Sequence, residues 1–314
     1  MAKQSFLFGY KPSFLDVEVQ LPELKESLQD DVAPVDGSET GLADYVNYSL
    51  MISASRGFPF FTASNIDGDL FKKAPRKDNW REDDRIATEH QWGPQLYRAE
   101  MSDFDKGHMT KREDVQWGDS VAIASKAADS TFYYTNAVPQ HANLNQKIWR
   151  SLEDYILHTE TRENDLRICV FTGPVLRKDD PFFVTEVRGE RVRIPLLFWK
   201  VVMFRKKNGE LTRVGFMMSQ STLLFENGIV VEEGKEAITD EDRLFMEFDG
   251  ADTYQVNVAT IEKLTGLHFQ EASEPFKDTR KVKLILEEID IKESFKESAN
   301  PFEQLGFFIN GLEL

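Results

Sequence analysis

The residues best suited to chemistry lie in the segment Asp105-Lys106-Gly107-His108. This segment places an imidazole beside a carboxylate and an ammonium group. About one supersecondary unit later, within residues 136–153, an asparagine stands near the head of an amphipathic helix. A base, a carboxamide able to hold a metal and nearby cations are the groups that phosphodiester hydrolysis needs, because negative charge builds up on the phosphate oxygens.

The helix that carries this asparagine has a clear apolar face. At 100° per residue, four side chains of the helix fall within about 60° of one another. An amide near the start of such a face is unusual. It is either a capping or internally satisfied core residue, or a ligand presented by a rigid helix. The sequence leaves both readings open for Asn145, which shares the face with Trp149, Leu152 and Ile156.

Composition indicates a globular chain with a sizeable core. The chain has 314 residues, of which 41% are hydrophobic, enough for one large domain or one domain with extensions. No run of about 18 apolar residues predicts a membrane span, and the N-terminus lacks the apolar stretch of a secretory signal. Cys169 is the single cysteine, so we expect a buried, inert thiol. These features together predict a cytoplasmic location.

The net charge of −16, from 38 basic and 54 acidic residues, opposes binding of nucleic acid. Phosphate neutralisation supplies most of the affinity of nucleic-acid binders, so the cations must be concentrated locally. Runs of Lys and Arg are more commonly solvated surface than binding patches, and the better candidates flank the proposed site. The runs are Lys72-Lys73 with Arg76-Lys77, Lys111-Arg112, Lys147 with Arg150, and Arg205-Lys206-Lys207.

The distribution of apolar residues and turn formers predicts an α+β fold. Residues 66–98 are polar and charged, which predicts a surface excursion. The segment 280–291 is compatible with either a helix or a strand. Helices are predicted over residues 121–128 and 260–266, and strands over residues 46–53, 58–65, 131–135, 166–172, 184–187, 196–204 and 213–219.

An ordered series of motifs resembles a known family. The series contains Phe104-Asp105-Lys106-Gly107-His108-Met109, then Asn136-x-x-Pro139-Gln140, then Leu144-Asn145-Gln146-x-x-Trp149-x-x-Leu152-Glu153. It resembles the DNA/RNA non-specific endonucleases, the ββα-metal nucleases that include mitochondrial endonuclease G. The similarity continues at residues 171–175, 194–201 and 261–267. Four residues alone are weak evidence, but the ordered series is strong.

The resemblance implies a fold and a domain plan. The expected α+β fold has a central antiparallel sheet flanked by helices, with a ββα-metal active-site motif. Residues 45–270 would form the nuclease domain. Residues 1–44 would be an N-terminal extension, and residues 271–314 a C-terminal extension that packs on the domain or regulates it.

The resemblance also implies roles for individual residues. His108 would be the general base that activates the attacking water. Asn145 would be the only direct protein ligand of a hydrated Mg²⁺, for which Mn²⁺ or another divalent ion could substitute. Glu153 would hold metal-bound water. Three further motif residues, Asp105, Asn136 and Gln140, would orient water, histidine or phosphate.

Phosphate binding is assigned to cations around this motif. Arg76 would match the phosphate-contacting arginine of the family. Lys106 stands where the family usually has arginine, and a lysine loses the planar fork that grips phosphate with two parallel bonds. Activity could therefore be lower or substrate preference altered. Further candidates for substrate binding are Lys111, Arg112, Lys147 and Arg150.

The sequence therefore predicts a Mg²⁺-dependent endonuclease that cleaves DNA, with RNA as a second candidate substrate, and has little sequence preference. One alternative is a catalytically weak or silent nucleic-acid-binding or interaction protein of the same fold. Another is a different phosphoesterase, acting on nucleotides or sugar phosphates. Because family members are often dimers, a homodimer is expected, together with a regulatory partner or activating step that restrains the nuclease.

Overall fold

An eight-stranded antiparallel sheet forms the centre of the computed structural model. Its strands lie in the order Val282–Lys283, Thr253–Val256, Leu211–Ser219, Leu197–Arg205, Arg167–Pro174, Pro59–Asp67, Tyr48–Ile52 and Leu42–Tyr45. The structure describes residues 8–144, 149, 151–152, 155–156, 167–232, 244–248, 252–278, 280–288 and 307–314. The strands are β1 (Glu23–Leu24), β2 (Leu42–Tyr45), β3 (Tyr48–Ile52), β4 (Pro59–Asp67), β5 (Phe104–His108), β6 (Ala137–His141), β7 (Arg167–Pro174), β8 (Phe182–Phe183), β9 (Leu197–Arg205), β10 (Leu211–Ser219), β11 (Val230–Val231), β12 (Thr253–Val256), β13 (Leu267–His268), β14 (Val282–Lys283), β15 (Ile285–Glu288) and β16 (Phe307–Asn310).

Strands β9 and β10 lie inside this sheet, and both of their faces are buried. They pair in register from Leu197↔Ser219 to Arg205↔Leu211. Their connection contains Gly209 at φ +89°, a left-handed conformation that glycine adopts without steric cost. Alternate side chains of β9 enter two different core clusters, one on each face of the sheet. A strand buried on both faces reads as a nearly continuous apolar run, as β9 does.

Helices cover the sheet and have recognisable ends. The helix Val121–Ser130 begins at Ser120, whose side chain accepts a hydrogen bond from the backbone of Ile123. The helix Val258–Thr265 packs on β10 and ends at Gly266, which is left-handed at φ +70°. Shorter α-helices span Glu26–Gln29, Pro94–Tyr97 and Ser221–Glu226, and 3₁₀ turns span Pro12–Leu15, Thr88–His90 and Tyr134–Asn136. Residues 149, 151–152 and 155–156 are also helical.

Most predicted elements are confirmed within one to three residues at their ends. The predicted strand over residues 131–135 is wrong, because this segment leads into a 3₁₀ turn. The Thr131 hydroxyl donates a hydrogen bond to Ala128 O and terminates the preceding helix. Phe132 is buried by side chains that are distant in the sequence. The strand predicted over residues 184–187 is also wrong, since the strand at that point is limited to β8 and Val184 is exposed. The segment with two readings, 280–291, contains β14 and β15.

The excursion at residues 66–98 is only partly a surface segment. Residues 75–79 are exposed as predicted, but Trp92 and Leu96 are buried in the core. Trp80 is partly buried among aromatic rings. This segment therefore contributes a wall to the cavity described below.

Both chain ends pack on the central sheet. Tyr10 and Phe14 are buried in the same core cluster as Cys169 and Phe171. Near the other end, β14 pairs with β12. The division into a domain and two extensions stays a prediction. Cys169 is fully buried as expected, and burial raises the pKa of its thiol to about 12. Among the described residues, no helix combines the length and apolarity needed to cross a bilayer.

A separate two-stranded unit, β5 paired with β6, carries the motif that contains His108. Gln220 ties this unit to the end of the central sheet. Its Oε1 accepts a hydrogen bond from His141 N at 2.8 Å. Its Nε2 donates to Pro139 O at 3.0 Å and to Pro195 O at 2.7 Å. Because Gln220 is fully buried, losing it leaves these partners without water to replace the lost bonds.

We predict that Gln220→Ala destabilises the fold by about 2–4 kcal/mol, from unsatisfied buried partners together with a small cavity. Urea denaturation of the variant and of the parent protein measures this difference. Gln29→Ala is the matched control, because the Gln29 side chain makes an exposed hydrogen bond to Leu24 O, and we expect little change. Equal stability of the two variants would contradict the anchoring role of Gln220.

Candidate active site

The β5–β6 pair sets the geometry of the site. Its antiparallel register places Asp105 opposite Gln140 and His108 opposite Ala137. Since side chains alternate along a strand, Lys106 and His108 lie on one face of β5. Both of these side chains contact the ring of Trp80, which agrees with that alternation.

A cavity of about 970 Å³ opens beside this strand pair. Of its described lining side chains, six are Lys or Arg and three are Asp or Glu, the reverse of the ratio in the whole chain. Cations are therefore concentrated at this cavity, as nucleic-acid binding by an acidic protein requires. The basic residues are Arg76, Arg98, Lys106, Lys111, Arg112 and Lys200, and the acidic residues are Asp78, Asp105 and Glu113.

His108 lies in an aromatic environment at this cavity. Its ring centroid is 4.7 Å from that of Trp80 and 5.1 Å from that of Phe132. Its Nε2 is buried and has no hydrogen-bond partner among the described residues. Burial, and next the positive charge of Arg76, lower the pKa of His108 to about 4. The imidazole is therefore neutral at physiological pH, the state in which it accepts a proton.

Lys106 is held by aromatic rings. Its Nζ is 5.6 Å from the centre of the Trp80 ring and 5.9 Å from the centre of the Tyr97 ring. An ammonium group at this distance is attracted by the negative face of an aromatic ring. Tyr97 and Tyr134 stack with an angle of 20° between their planes, so the rings that hold Lys106 are themselves fixed.

Gly107 allows Gln140 to reach the cavity. A Cβ atom built on Gly107 would lie 2.2 Å from Cδ of Gln140, so any side chain at position 107 would displace the amide. Gln140 is buried and lines the cavity, as does the exposed Asp105 opposite it. The structure therefore brings these two predicted residues together at the cavity that His108 also lines.

Asn136 has a different environment from its predicted companions. It is fully buried, and its Oδ1 accepts a hydrogen bond from Thr110 N at 2.9 Å. Its Nδ2 donates to Thr110 O at 2.9 Å and to Thr131 O at 3.1 Å. These bonds fix the backbone at Thr110, two residues beyond His108. Asn136 therefore supports the site by fixing the backbone close to His108.

The predicted phosphate-binding residues around His108 also line the cavity. Arg76 is exposed and pairs with Asp78 at 2.7 Å. Arg112 is buried and donates to Ala74 O at 2.6 Å, which fixes the backbone close to Arg76. The Nζ of Lys111 is 3.9 Å from Oδ1 of Asp114. Of these three described side chains, Arg76 is the exposed one, with 65% of its surface accessible to solvent.

Four predicted residues lie outside the described part of the chain: Asn145, Lys147, Arg150 and Glu153. The apolar face of their helix is confirmed at its described positions. Trp149, Leu152 and Ile156 are all buried in the core cluster that contains Val138 of β6. Trp149 also lines the cavity.

Sequence reasoning missed several residues that line the cavity, among them Trp80, Tyr97 and Lys200. Trp80 and Tyr97 lie in the segment interpreted as a surface excursion, and only long-range packing brings them to His108. Lys200 did carry a local signal. It is a lone cation within the apolar run of β9, and such a residue is rarely buried without a specific reason.

Side-chain oxygens at the cavity, among them those of Asp105 and Gln140, could hold a metal ion or its waters. The described part of the chain contains no group of three or more His, Cys, Asp or Glu side chains arranged to hold an ion. Mg²⁺ usually keeps several waters and is bound by one or two side-chain oxygens. Waters oriented by Asp105 and Gln140 would suit that preference, while the predicted ligand Asn145 lies outside the described residues.

Sequence comparisons link the chain to known nucleases. The family model of the DNA/RNA non-specific endonucleases matches residues 30–276. The uncharacterized protein y4fB of Sinorhizobium fredii is 37% identical over 223 residues, covering 68% of this chain and 32% of that protein. Human mitochondrial endonuclease G is 30% identical over 149 residues, covering 46% of this chain and 47% of the human protein. The mitochondrial nuclease EXOG of Xenopus laevis is 24% identical over 258 residues, covering 79% and 63%.

A solved structure supports the fold. A chain in the crystal structure of the EndoG/EndoGI complex, a study of EndoG inhibition, aligns with a TM-score of 0.50 and 20% identity. The alignment covers 77% of this chain and 89% of that chain. The α+β fold predicted from the sequence is thereby confirmed.

The chain belongs to the DNA/RNA non-specific endonuclease family, whose model matches most of its length. That family is one of metal-dependent nucleases. The matched regions span only about a third of the rhizobial relative and about half of endonuclease G.

The contact between Gly107 and Gln140 gives a prediction. Gly107→Ala should force Gln140 from its position and destabilise the protein by about 1–3 kcal/mol through overpacking. The double variant Gly107→Ala/Gln140→Ala removes the clashing side chain. We expect it to be more stable than the sum of the two single changes predicts. Urea denaturation of all four proteins tests this coupling, and strict additivity would contradict it.

Proposed function

We propose that this protein is a metal-dependent nuclease that hydrolyses phosphodiester bonds of DNA, with RNA as a second substrate, and has little sequence preference. One observation carries the proposal: a neutral, aromatic-enclosed His108 lies in a cavity lined by six cations in a chain of net charge −16. A base surrounded by cations serves a reaction in which a polyanion is attacked by water.

His108 is proposed as the general base. Its lowered pKa keeps the imidazole unprotonated at neutral pH, so a water molecule at the ring can transfer a proton to it. Trp80 and Phe132 pack against the ring and limit its rotation. Asp105 and Gln140 lie at the same cavity and are proposed to orient the attacking water or the phosphate.

The cations are proposed to hold the phosphate backbone. Arg76 presents a guanidinium that can bind two phosphate oxygens, whereas Lys106 is a point charge. Lys111 and Arg112 come from the loop that follows His108, with Lys147 and Arg150 proposed as further contacts. Because these groups recognise phosphate rather than base edges, little sequence preference follows.

Mg²⁺ is the proposed metal, with Mn²⁺ or another divalent ion as a substitute. Asn145 is proposed to hold it, with Glu153 binding one of its waters. When bound, such an ion neutralises developing phosphate charge and provides an acidic water for the leaving oxygen. A homodimer and a regulatory partner also remain proposals.

The test is incubation of plasmid DNA and of RNA with the protein, in Mg²⁺ or in EDTA. We expect metal-dependent degradation in the parent protein. We expect a loss of about 10²–10⁴-fold in His108→Ala, the usual contribution of a general base. Asn145→Ala should need more Mg²⁺ or lose activity.

His268→Ala is the control for the histidine, because His268 is exposed and pairs with Glu262 on the helix Val258–Thr265. Parent activity in His108→Ala would refute its role, and an unchanged metal titration in Asn145→Ala would refute the ligand assignment. No cleavage by the parent protein under any metal condition would favour the silent nucleic-acid-binding alternative.

The pKa of His108 predicts the acid limb of the pH profile. A pKa lowered to about 4 means that the base form persists well below the ordinary value near 6.5. The kcat/KM of the parent protein should therefore stay constant between neutral pH and about pH 5, then fall with a midpoint near 4. A p-nitrophenyl phosphodiester at saturating metal is the substrate of choice for this measurement. A midpoint near 6.5 would contradict the burial effect.

A further inference from the structure

Lys200 interrupts an otherwise apolar row on β9. The side chains of Phe198, Val202 and Phe204 lie on the cavity side of the central sheet and belong to one core cluster. Lys200 occupies the position between Phe198 and Val202 on the same face, and only 2% of its surface is exposed. It nevertheless lines the cavity that contains His108. An amine group is thus placed at the site on a strand that is buried on both faces.

Two elements around the cavity surround this ammonium group. The Nζ of Lys200 is 4.9 Å from the centre of the ring of Trp149, on the helix predicted to carry the metal ligand. The carboxylate of Asp114, which is buried, attracts Lys200 electrostatically and opposes the effect of burial, which lowers the pKa of Lys200. Asp114 also accepts a hydrogen bond from Lys111 N at 3.3 Å.

This arrangement is costly for folding. Burying an ammonium group carries a large desolvation penalty, and replacing a whole buried ion pair by apolar side chains of similar volume is often neutral or stabilising. Methionine has nearly the same length and would continue the apolar row. Stability therefore does not account for lysine at position 200, whereas placement of charge at the cavity does.

We propose that Lys200 is a positioning residue of the active site, whose terminal amine group, through its attraction to the Asp114 carboxylate and the Trp149 ring, holds the loop after His108 and the helix that contains Trp149 in the arrangement needed for phosphate hydrolysis. This inference rests on the proposed nuclease function. A charge on a central strand does not have to reorganise during the reaction, and preorganised charge contributes most in a site shielded from water. The contribution should appear in kcat, because the enclosed ammonium adds little to the encounter with nucleic acid.

The experiment compares Lys200→Met with the parent protein in three measurements: kcat and KM for DNA cleavage in Mg²⁺, affinity for a labelled oligonucleotide in EDTA, and the thermal midpoint Tm. We expect kcat to fall about 100-fold, as for loss of one preorganised electrostatic group. Affinity in EDTA should be unchanged. Tm should fall in Lys200→Met, which leaves the buried Asp114 carboxylate without this cation, and recover in Lys200→Met/Asp114→Asn, which removes both charges, while kcat stays low in both variants. Lys200→Arg retains the charge and should recover part of kcat. Lys283→Met, which removes an exposed lysine paired with Asp252, is the control for loss of a charge elsewhere.

Each result decides the matter. Parent cleavage with unchanged kcat in Lys200→Met would overturn the role of Lys200 and leave the proposed function intact. Recovery of kcat together with Tm in Lys200→Met/Asp114→Asn would mean that Lys200 is merely structural. If Lys200→Met does not fold, Lys200→Met/Asp114→Asn removes both buried charges and replaces it in the same three measurements. Absence of cleavage by the parent protein would overturn the proposed function and this inference with it.

Discussion

The site depends on the antiparallel pairing of β5 with β6, because this pairing converts two short sequence motifs into one constellation. Asp105 meets Gln140 across the pair, while Lys106 and His108 extend from the other face toward Trp80. The pairing is too short to be stable alone. It is held by Gln220 at the end of the central sheet and by Asn136, which bonds the backbone of Thr110. Two buried amides therefore do the structural work for a polar, partly exposed site.

The second constraint is electrostatic. A chain with 16 more acidic than basic residues repels nucleic acid at long range. Screening limits the attraction between a cation and a phosphate to about a Debye length at physiological salt. The cations therefore bind nucleic acid effectively only when they lie close together. The cavity gathers them from distant parts of the chain, with Arg76 from the excursion, Lys106 from β5 and Lys200 from β9. The acidic remainder of the surface then favours binding at this one cavity over diffuse adsorption.

The elements that the sequence predicted well are those whose burial is visible locally. β9 and β10 are long, apolar and rich in β-branched and aromatic residues, and the helix Val258–Thr265 ends at a glycine. The segment 131–135 has the same local composition but is not a strand. Its Phe132 is buried against Trp80 and His108, which are distant in the sequence. The wall of the cavity was not predicted for the same reason, because no local sequence pattern reveals that Trp80 and Tyr97 face Lys106. The motif residues were found because their spacing resembles a family, which periodicity alone does not provide.

The replacement of arginine by lysine at position 106 acquires a physical explanation from these contacts. Arginine would offer two parallel hydrogen bonds to phosphate, but its planar group also stacks on aromatic rings. Between Trp80 and Tyr97, such stacking would compete with phosphate binding. A lysine keeps the cation–π attraction at about 5.6 Å and 5.9 Å while its three N–H donors can still rotate toward a phosphate. The aromatic wall and Lys106 are therefore matched to each other. Lysine cannot form two parallel hydrogen bonds to a phosphate, but its contacts with the two rings hold its charge in place before the substrate arrives. The substitution therefore changes how the phosphate is bound and retains the positive charge that binds it.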